Sequence, residues 1–340
     1  ALVDSTVNLT YDYVLPSFNA RLELGGGLQF RAAYFKGVAP PDFGYVRNYF
    51  PVNLNTITNL NPDGTSAVPT ISGTGVINDA GARFQSTFTA GNPSLKPTTS
   101  DNFDFTAEWY FGNNGVGQLT ASIFAKRLYG VLTNDIVRSD LSNNGSTYSA
   151  VITTPVNSDR VGIIRGLELS YQQVYDFLPG FLKGLGLQAN YTYVKSKGVP
   201  QSTLSATDPD VAAGRQPTIG GGAFPLQGLS KHQFNITPFI DIGPISARAS
   251  YNWRSRYLLT LRDVITPFDP IFQEAYGQLD ASLTWSITDS IKVGVQGVNL
   301  LNSTTKTSAA VVDQNGDVRL VPRGWYINDR RYTAILRFNF

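Results

Sequence analysis

The stretch that decides the fold is ISARASYNWRSRY, Ile245 to Tyr257. Successive side chains of an extended chain point to opposite sides. Ile245, Ala247, Ala249, Tyr251 and Trp253 therefore share one face, and Ser246, Arg248, Ser250, Asn252 and Arg254 the other. The first face turns aromatic toward one end, while the second carries arginines. Alternation alone leaves open which face meets water, because a half-buried soluble sheet shows the same pattern. Composition decides it.

Only 15% of the 340 residues are charged, against about 25% in ordinary soluble domains, while Phe, Trp and Tyr make up 12%. Hydrophobic residues reach 42%, yet no run approaches the roughly 18 apolar residues of a membrane-spanning helix. Low charge, many aromatics and abundant Gly and Asn without long apolar runs match a transmembrane β-barrel, whose strands show lipid only every second residue. A net charge of +2 is too small to argue for a nucleic-acid partner, and none is expected. The absence of Cys excludes disulfides, thiolate nucleophiles and thiolate metal sites. The single His, His232 in LSKHQFNITPF, excludes a His-rich metal centre and reads as a polar residue at a strand entry rather than a catalytic base. No catalytic residue, metal site or cofactor is assigned. The opening ALVDSTVNLTYDYVLPSF has no charged segment followed by an apolar one, so it does not read as a signal peptide. With no Met either, the sequence reads as a mature or partial chain.

The same alternation gives about eleven strands along the chain. Phe18, Ala20, Leu22 and Leu24 oppose Ser17, Asn19, Arg21 and Glu23; Phe103, Phe105, Ala107, Trp109 and Phe111 oppose Asn102, Asp104, Thr106 and Glu108. Connections alternate in size. GGG, GNNG, DIGP and TDS suit tight hairpins, with FLPGFLKGL slightly longer. Long connections rich in Gly, Asn, Ser, Thr and Pro cover residues near 36–100, 130–163, 196–229, 258–275 and 302–330. Short turns at one end and long loops at the other are the arrangement of outer-membrane barrels. Arg21, Glu23, Arg31, Asp104, Glu108, Glu168, Arg248, Asp280 and Arg337 all fall in phase with the polar face, so they are expected to line a lumen or face a plug. A charge on the lipid side at mid-depth would cost about 2 to 4 kcal/mol. A barrel closed by one chain usually needs an even strand count, so an odd count points to a missing strand or to half a barrel that needs its other half.

Four stretches carry a family resemblance: YDYVLPSFNARLEL with LQFRAAYFKGVAPPDFG, GNPSLKPTTSDNFDFTAEWYF, GIIRGLELSYQQ with LQANYTYVKSK, and VGVQGVNLLNSTTK leading to RRYTAILRFNF. In this order, over nearly the whole chain, they resemble the TonB-dependent transporters of the Gram-negative outer membrane. The resemblance implies an all-β, antiparallel transmembrane β-barrel of about 22 strands. Residues 1–340 would supply the C-terminal part, without the plug domain. Implied partners are the N-terminal barrel half and plug, in the same or a separate chain, TonB acting through the plug, the barrel assembly machinery and outer-membrane lipid. The implied activity is energised uptake of a scarce nutrient bound at the extracellular loops, with oligosaccharide slightly favoured over ferric siderophore or cobalamin. Alternatives are a passive porin-like or structural barrel, or one half of a split two-chain barrel. Tyr332, Leu336, Phe338 and Phe340 resemble the terminal signal read by the assembly machinery, although Ile335 stands where that signal tends to have Gly.

Candidate ligand residues lie in the long connections. PPDFGYVRNYF holds Phe43, Tyr45, Arg47 and Tyr49, and RGWYINDRR holds Arg323, Trp325 and Tyr326. Aromatics with hydrogen-bonding neighbours suit stacking against sugar rings or aryl siderophores, although an upper aromatic girdle or loop packing is the favoured reading. Arg254 and Arg256 are placed to meet an anionic ligand or, preferably, acidic plug residues.

Overall fold

The computed structural model describes residues 7–47, 57–60, 83–112, 116–143, 146–201, 224–261 and 269–338. Its strands in chain order are β1 (Ser17–Gly25), β2 (Leu28–Ala39), β3 (Ile57–Leu60), β4 (Arg83–Thr89), β5 (Thr98–Phe111), β6 (Gly117–Tyr129), β7 (Leu132–Asn143), β8 (Ser146–Asn157), β9 (Gly162–Val174) and β10 (Leu185–Lys197). They continue as β11 (His232–Ile242), β12 (Ile245–Arg254), β13 (Tyr257–Thr260), β14 (Ile271–Gln273), β15 (Tyr276–Ser286), β16 (Ile291–Val298), β17 (Thr304–Val312), β18 (Val318–Ile327) and β19 (Arg331–Phe338). One helical turn, α1 (Phe43–Val46), and a 3-10 turn at Gly180–Gly184 complete the regular structure among the described residues.

One sheet of eleven strands dominates, in the order β1-β2-β5-β6-β9-β10-β11-β12-β15-β16-β19. Each strand runs antiparallel to its neighbour, so the chain passes up and down through the sheet. These are the strands that alternation picks out. At the β1–β2 turn Gly27 has φ +77, and a Cβ there would lie 1.9 Å from the carbonyl oxygen of Tyr110 on the next strand but one. Its own carbonyl accepts from Tyr110 N at 2.9 Å, so GGG is set by close backbone approach as well as by the turn.

Apart from the 3-10 turn, whose Phe181 and Leu182 reach it beside Ile240 and Ala247, the apolar side of this sheet lies largely open among the described residues. Phe18, Leu22, Leu24, Phe103, Phe105, Ile123, Leu283, Trp285, Val295 and Leu336 are all exposed. The buried apolar side chains lie instead mostly in the long connections, with Leu95, Leu258, Ile271, Ala309 and Ala310. An unpaired apolar surface running over eleven strands is incompatible with water and is what lipid requires.

The long connections are themselves partly regular. They carry eight further strands in two four-stranded sheets, β13-β14-β17-β18 and β3-β4-β8-β7, the second including a parallel β4–β8 pair. The sheet strands β2 and β5 also reach into the connection expected near 36–100, to Ala39 and back to Thr98. In β17, Thr307, Ser308, Ala309 and Ala310 are buried in succession, so no period of two marks it.

Two polar knots fasten these connections to the wall. In NPSLKP, Asn92 Nδ2 donates to Pro155 O (2.9 Å) and its N to Tyr45 O (2.7 Å), while Asn157 bridges Lys96 N (2.7 Å) and Gly130 O (2.8 Å). The Tyr11 hydroxyl donates to Leu95 O, and Leu95 is buried at the centre. In VNLLN, Asn299 sits at φ 55 and Asn302 at φ 53, a left-handed conformation that Asn tolerates. Asn299 is buried, accepts from Ser303 N (2.7 Å), donates through Nδ2 to Asn328 O, and donates through its backbone N to Asp280 Oδ1 (2.8 Å). Replacing it by Gly keeps the backbone angle and removes the side-chain bonds. Asn299→Gly is expected to cost about 1 to 3 kcal/mol in urea unfolding of the bilayer-embedded protein, and no change would show that the knot carries no stability.

Candidate functional site

Strand register places every polar-face residue. Reading across the sheet, Arg21 faces Arg31, then Thr106, Ser122, Glu168, Thr192, Gln233, Arg254 and Tyr276. Lower down, Arg248 faces Ser282, which faces Gln296 and then Thr333. Arg21, Glu23, Arg31, Asp104, Glu108, Glu168, Arg248, Asp280 and Arg337 thus lie on one face of one sheet.

Part of this face is internally paired. Glu108 holds Arg31 Nε at 2.9 Å, accepts from the Tyr110 hydroxyl at 2.9 Å and accepts from Gln29, while Arg21 reaches Gln29 at 2.8 Å and Glu23. Asp280 accepts from Gln278 Nε2 at 2.9 Å as well as anchoring Asn299. Asp104, Glu168 and Arg248 make no ion pair among the described residues.

Between β10 and β15 a cavity of about 380 Å³ opens on the polar face, lined by Asn190, Asn235, Asn252, Gln278, Arg254 and Tyr276 among others. The four amides form a continuous cross-strand row, Asn190, Asn235, Asn252 and Gln278. Each amide offers donors and acceptors without net charge. The sequence reading missed this row, because each amide was simply polar within its own strand and only the register aligns them.

The expected ligand residues divide among several elements. Asp42 caps α1 through Gly44 N, and Phe43 on that turn is 87% exposed. Tyr45 is exposed as a side chain while its carbonyl is tied to Asn92. The Arg47 carbonyl would lie 2.0 Å from a Cβ on Gly91, so the backbones touch there. Tyr49 lies outside the described residues. Trp325, 60% exposed, and Tyr326 lie on opposite faces of β18, and Arg323 is the extra residue at the β17–β18 bulge. Arg254 donates to Ser230 Oγ (2.8 Å) and Gly228 O (2.9 Å) and stacks 3.8 Å above the Tyr257 ring. Arg256 pairs with Glu274 at 2.7 Å. Both arginines therefore already have partners within the chain, which the sequence reading had sought in a ligand or plug.

The model of the family described as TonB dependent receptor-like, beta-barrel matches residues 3–300. The chain belongs to this family. Among solved structures, the TonB-dependent receptor chain resembles the siderophore receptor PirA from Acinetobacter baumannii, at 15% identity and TM-score 0.59 over 96% of this chain and 41% of that one. It also resembles the ferric enterobactin receptor PfeA from Pseudomonas aeruginosa (15%, TM-score 0.60, 95% and 40%) and the ferric-catecholate import receptor Fiu from K12 E. coli (15%, TM-score 0.54, 95% and 34%). At these identities the likeness shows the fold. The receptor chain thus spans about 41% of the length of PirA. No curated protein sequence matches it.

In the receptor fold the terminal strand β19 sets Tyr332 (69% exposed), Leu336 and Phe338 on the apolar face; Phe340 lies outside the described residues. Ile335 faces Gly294 across the pair.

At the tip of β17–β18, Asp313 accepts from Asp317 N (3.0 Å), Arg319 Nε (2.8 Å) and Asn315 N (2.9 Å). The Asp317 amide first, then the Arg319 guanidinium, hold its carboxyl below the ordinary aspartate range. A depressed folded value means that the tip gains stability above the unfolded value and loses it as pH falls through the folded one. The backbone amide signals of Asn315 and Asp317 are expected to titrate with a midpoint below that of an unfolded aspartate, and to lose the transition in Asp313→Asn. A midpoint at or above the ordinary range would contradict the assignment.

Proposed function

We propose that residues 1–340 form the C-terminal part of the barrel wall of an energy-coupled outer-membrane uptake receptor, with its apolar face in lipid and its polar face toward the lumen. The observation that carries this is the polar register running across the eleven strands, opposite an apolar face left largely open among the described residues. The short turns then face the periplasm, and the connections near 36–100, 130–163, 196–229, 258–275 and 302–330 face outward.

Roles follow from position. Asp104, Glu168 and Arg248, without ion pairs among the described residues, face a plug or lumen water; Arg21, Glu23, Arg31, Glu108, Asp280 and Arg337 shape the same wall. The plug and the N-terminal barrel part complete the lumen, and TonB supplies energy through the plug. Phe43, Tyr45, Arg47, Tyr49, Arg323, Trp325 and Tyr326 offer a ligand surface on the outer side. Arg254 and Arg256 brace the outer end of the wall, through Ser230 with Tyr257 and through Glu274 respectively. Tyr332, Leu336, Phe338 and Phe340 serve recognition by the barrel assembly machinery. No residue here is given a catalytic role.

The ligand class we favour is a ferric siderophore, on the names of the similar structures. The oligosaccharide preference rested on resemblance alone, and those names do not support it. Titration of the purified whole receptor with ferric enterobactin and, separately, with maltoheptaose tests the choice. The expected result is saturable binding of the iron complex, weakened about thirtyfold by Trp325→Ala, and cellular uptake that stops when the proton gradient is collapsed. Binding of the sugar alone would overturn the ligand class, and uptake unaffected by the gradient would replace the receptor with a passive pore.

A further inference from the structure

The apolar face changes character in order along β10. From the short-turn end it reads Leu187, Ala189, Tyr191, Tyr193, Lys195 and Lys197. This is the order of a hydrocarbon zone, an aromatic belt and a charged zone beyond it, with Lys195 about 7 Å past Tyr193 at the rise of a strand. The neighbouring strands pass from apolar to cationic at the same level, without the aromatic step. On β9, Leu169 and Leu167 give way to Arg165, and on β6, Ile123 and Ala125 give way to Arg127.

Register brings these cations together. Arg165 stands directly opposite Lys195, and Arg127 and Lys197 both stand opposite Ile163. Lys231 joins them over the Tyr193 ring, 5.7 Å from its centroid, beside His232, whose Nδ1 lies 2.8 Å from the Tyr191 hydroxyl. Arg127, Arg165, Lys195, Lys197 and Lys231 are all exposed, and none makes an ion pair among the described residues. The acid nearest in register, Asp101 opposite Arg127, is engaged by Lys36 at 3.9 Å.

Like charges directly opposite on a sheet are destabilising. A solvated rim would dilute this repulsion, yet the patch sits one step beyond the tyrosines, at the depth where lipid headgroups lie. We infer that Arg127, Arg165, Lys195, Lys197 and Lys231 form a docking site for a membrane lipid with a phosphorylated headgroup, in the leaflet on the long-connection side. The guanidinium forks of Arg127 and Arg165 suit phosphate oxygens, the lysines add point charge, and the apolar stripe below receives the acyl chains. The inference rests on the reading that the apolar face meets lipid.

The test uses the whole receptor in detergent with a fluorescent lipid A carrying two phosphates. Replacing Arg165, Lys195 and Lys197 together by Ser is expected to weaken binding about a hundredfold, near a factor of five for each cation at a membrane surface. Binding should weaken with salt, survive Arg165→Lys, and fall when the probe is dephosphorylated. If the triple variant does not fold, Lys195→Ser and Lys197→Ser singly should each weaken binding about fivefold. Unchanged affinity in the variants, equal affinity for the dephosphorylated probe, or displacement by inorganic phosphate at matching concentration would overturn the lipid site. In the same receptor placed in bilayers, bromine-labelled acyl chains should quench Trp253, read as the difference from Trp253→Phe. Quenching without phosphate-dependent binding rejects the lipid site alone, and absence of quenching rejects the facing of the wall.

Discussion

Backbone hydrogen bonding is the constraint on which the structure depends. In hydrocarbon a strand's N–H and C=O groups have no water to turn to, and each one left unpaired costs several kcal/mol. The eleven-stranded sheet answers this with an antiparallel ladder, in which each of its strands between β1 and β19 has a partner on both sides. Register then follows. A slip of one residue in any strand would carry its whole polar set to the apolar face. With Glu108, Glu168, Arg248 and Asp280 on neighbouring ladders, such a slip would place charge in lipid. The ladder and the polar row therefore enforce each other.

The long connections obey a different rule. They build their own small cores, around Leu95 in one place and around Leu258 and Ala310 in another. Their attachment to the wall is polar. Asn92 and Asn157 tie one set to the exits of β5, β6 and β8, and Asn299 ties another to β15 and to Asn328. Arg254 and Arg256 belong to the same scheme, since each joins the top of β12 to a chain segment beyond it. A surface built this way can present Phe43, Tyr45, Trp325 and Tyr326 outward while the wall below stays fixed.

The wall was legible in the sequence because lipid on one side and polar surroundings on the other write a period of two into each strand. Ile245 to Arg254 shows it without interruption, and Phe18 to Leu24 and Asn102 to Phe111 repeat it. The outer sheets were not legible. β17 buries small residues on both faces, so alternation vanishes where Thr307 to Ala310 pass through the interior. The partners of Arg254 were hidden for another reason: Gly228 and Ser230 reach it only because their segment folds back onto β12. The amide row from Asn190 to Gln278 and the cation patch from Arg127 to Lys231 needed cross-strand register, which no single strand contains.

The central claim is that the even and odd positions of one strand meet different solvents. The 340 residues contain no Cys, so single cysteines can be placed at Ser246, Ala247, Ala249, Ser250, Tyr251 and Asn252 of β12 and spin-labelled in the bilayer-embedded receptor. Collision with lipid-dissolved oxygen should be high at 247, 249 and 251, and collision with a water-soluble nickel chelate high at 246, 250 and 252. Equal exposure along the strand, or the opposite phase, would contradict the account.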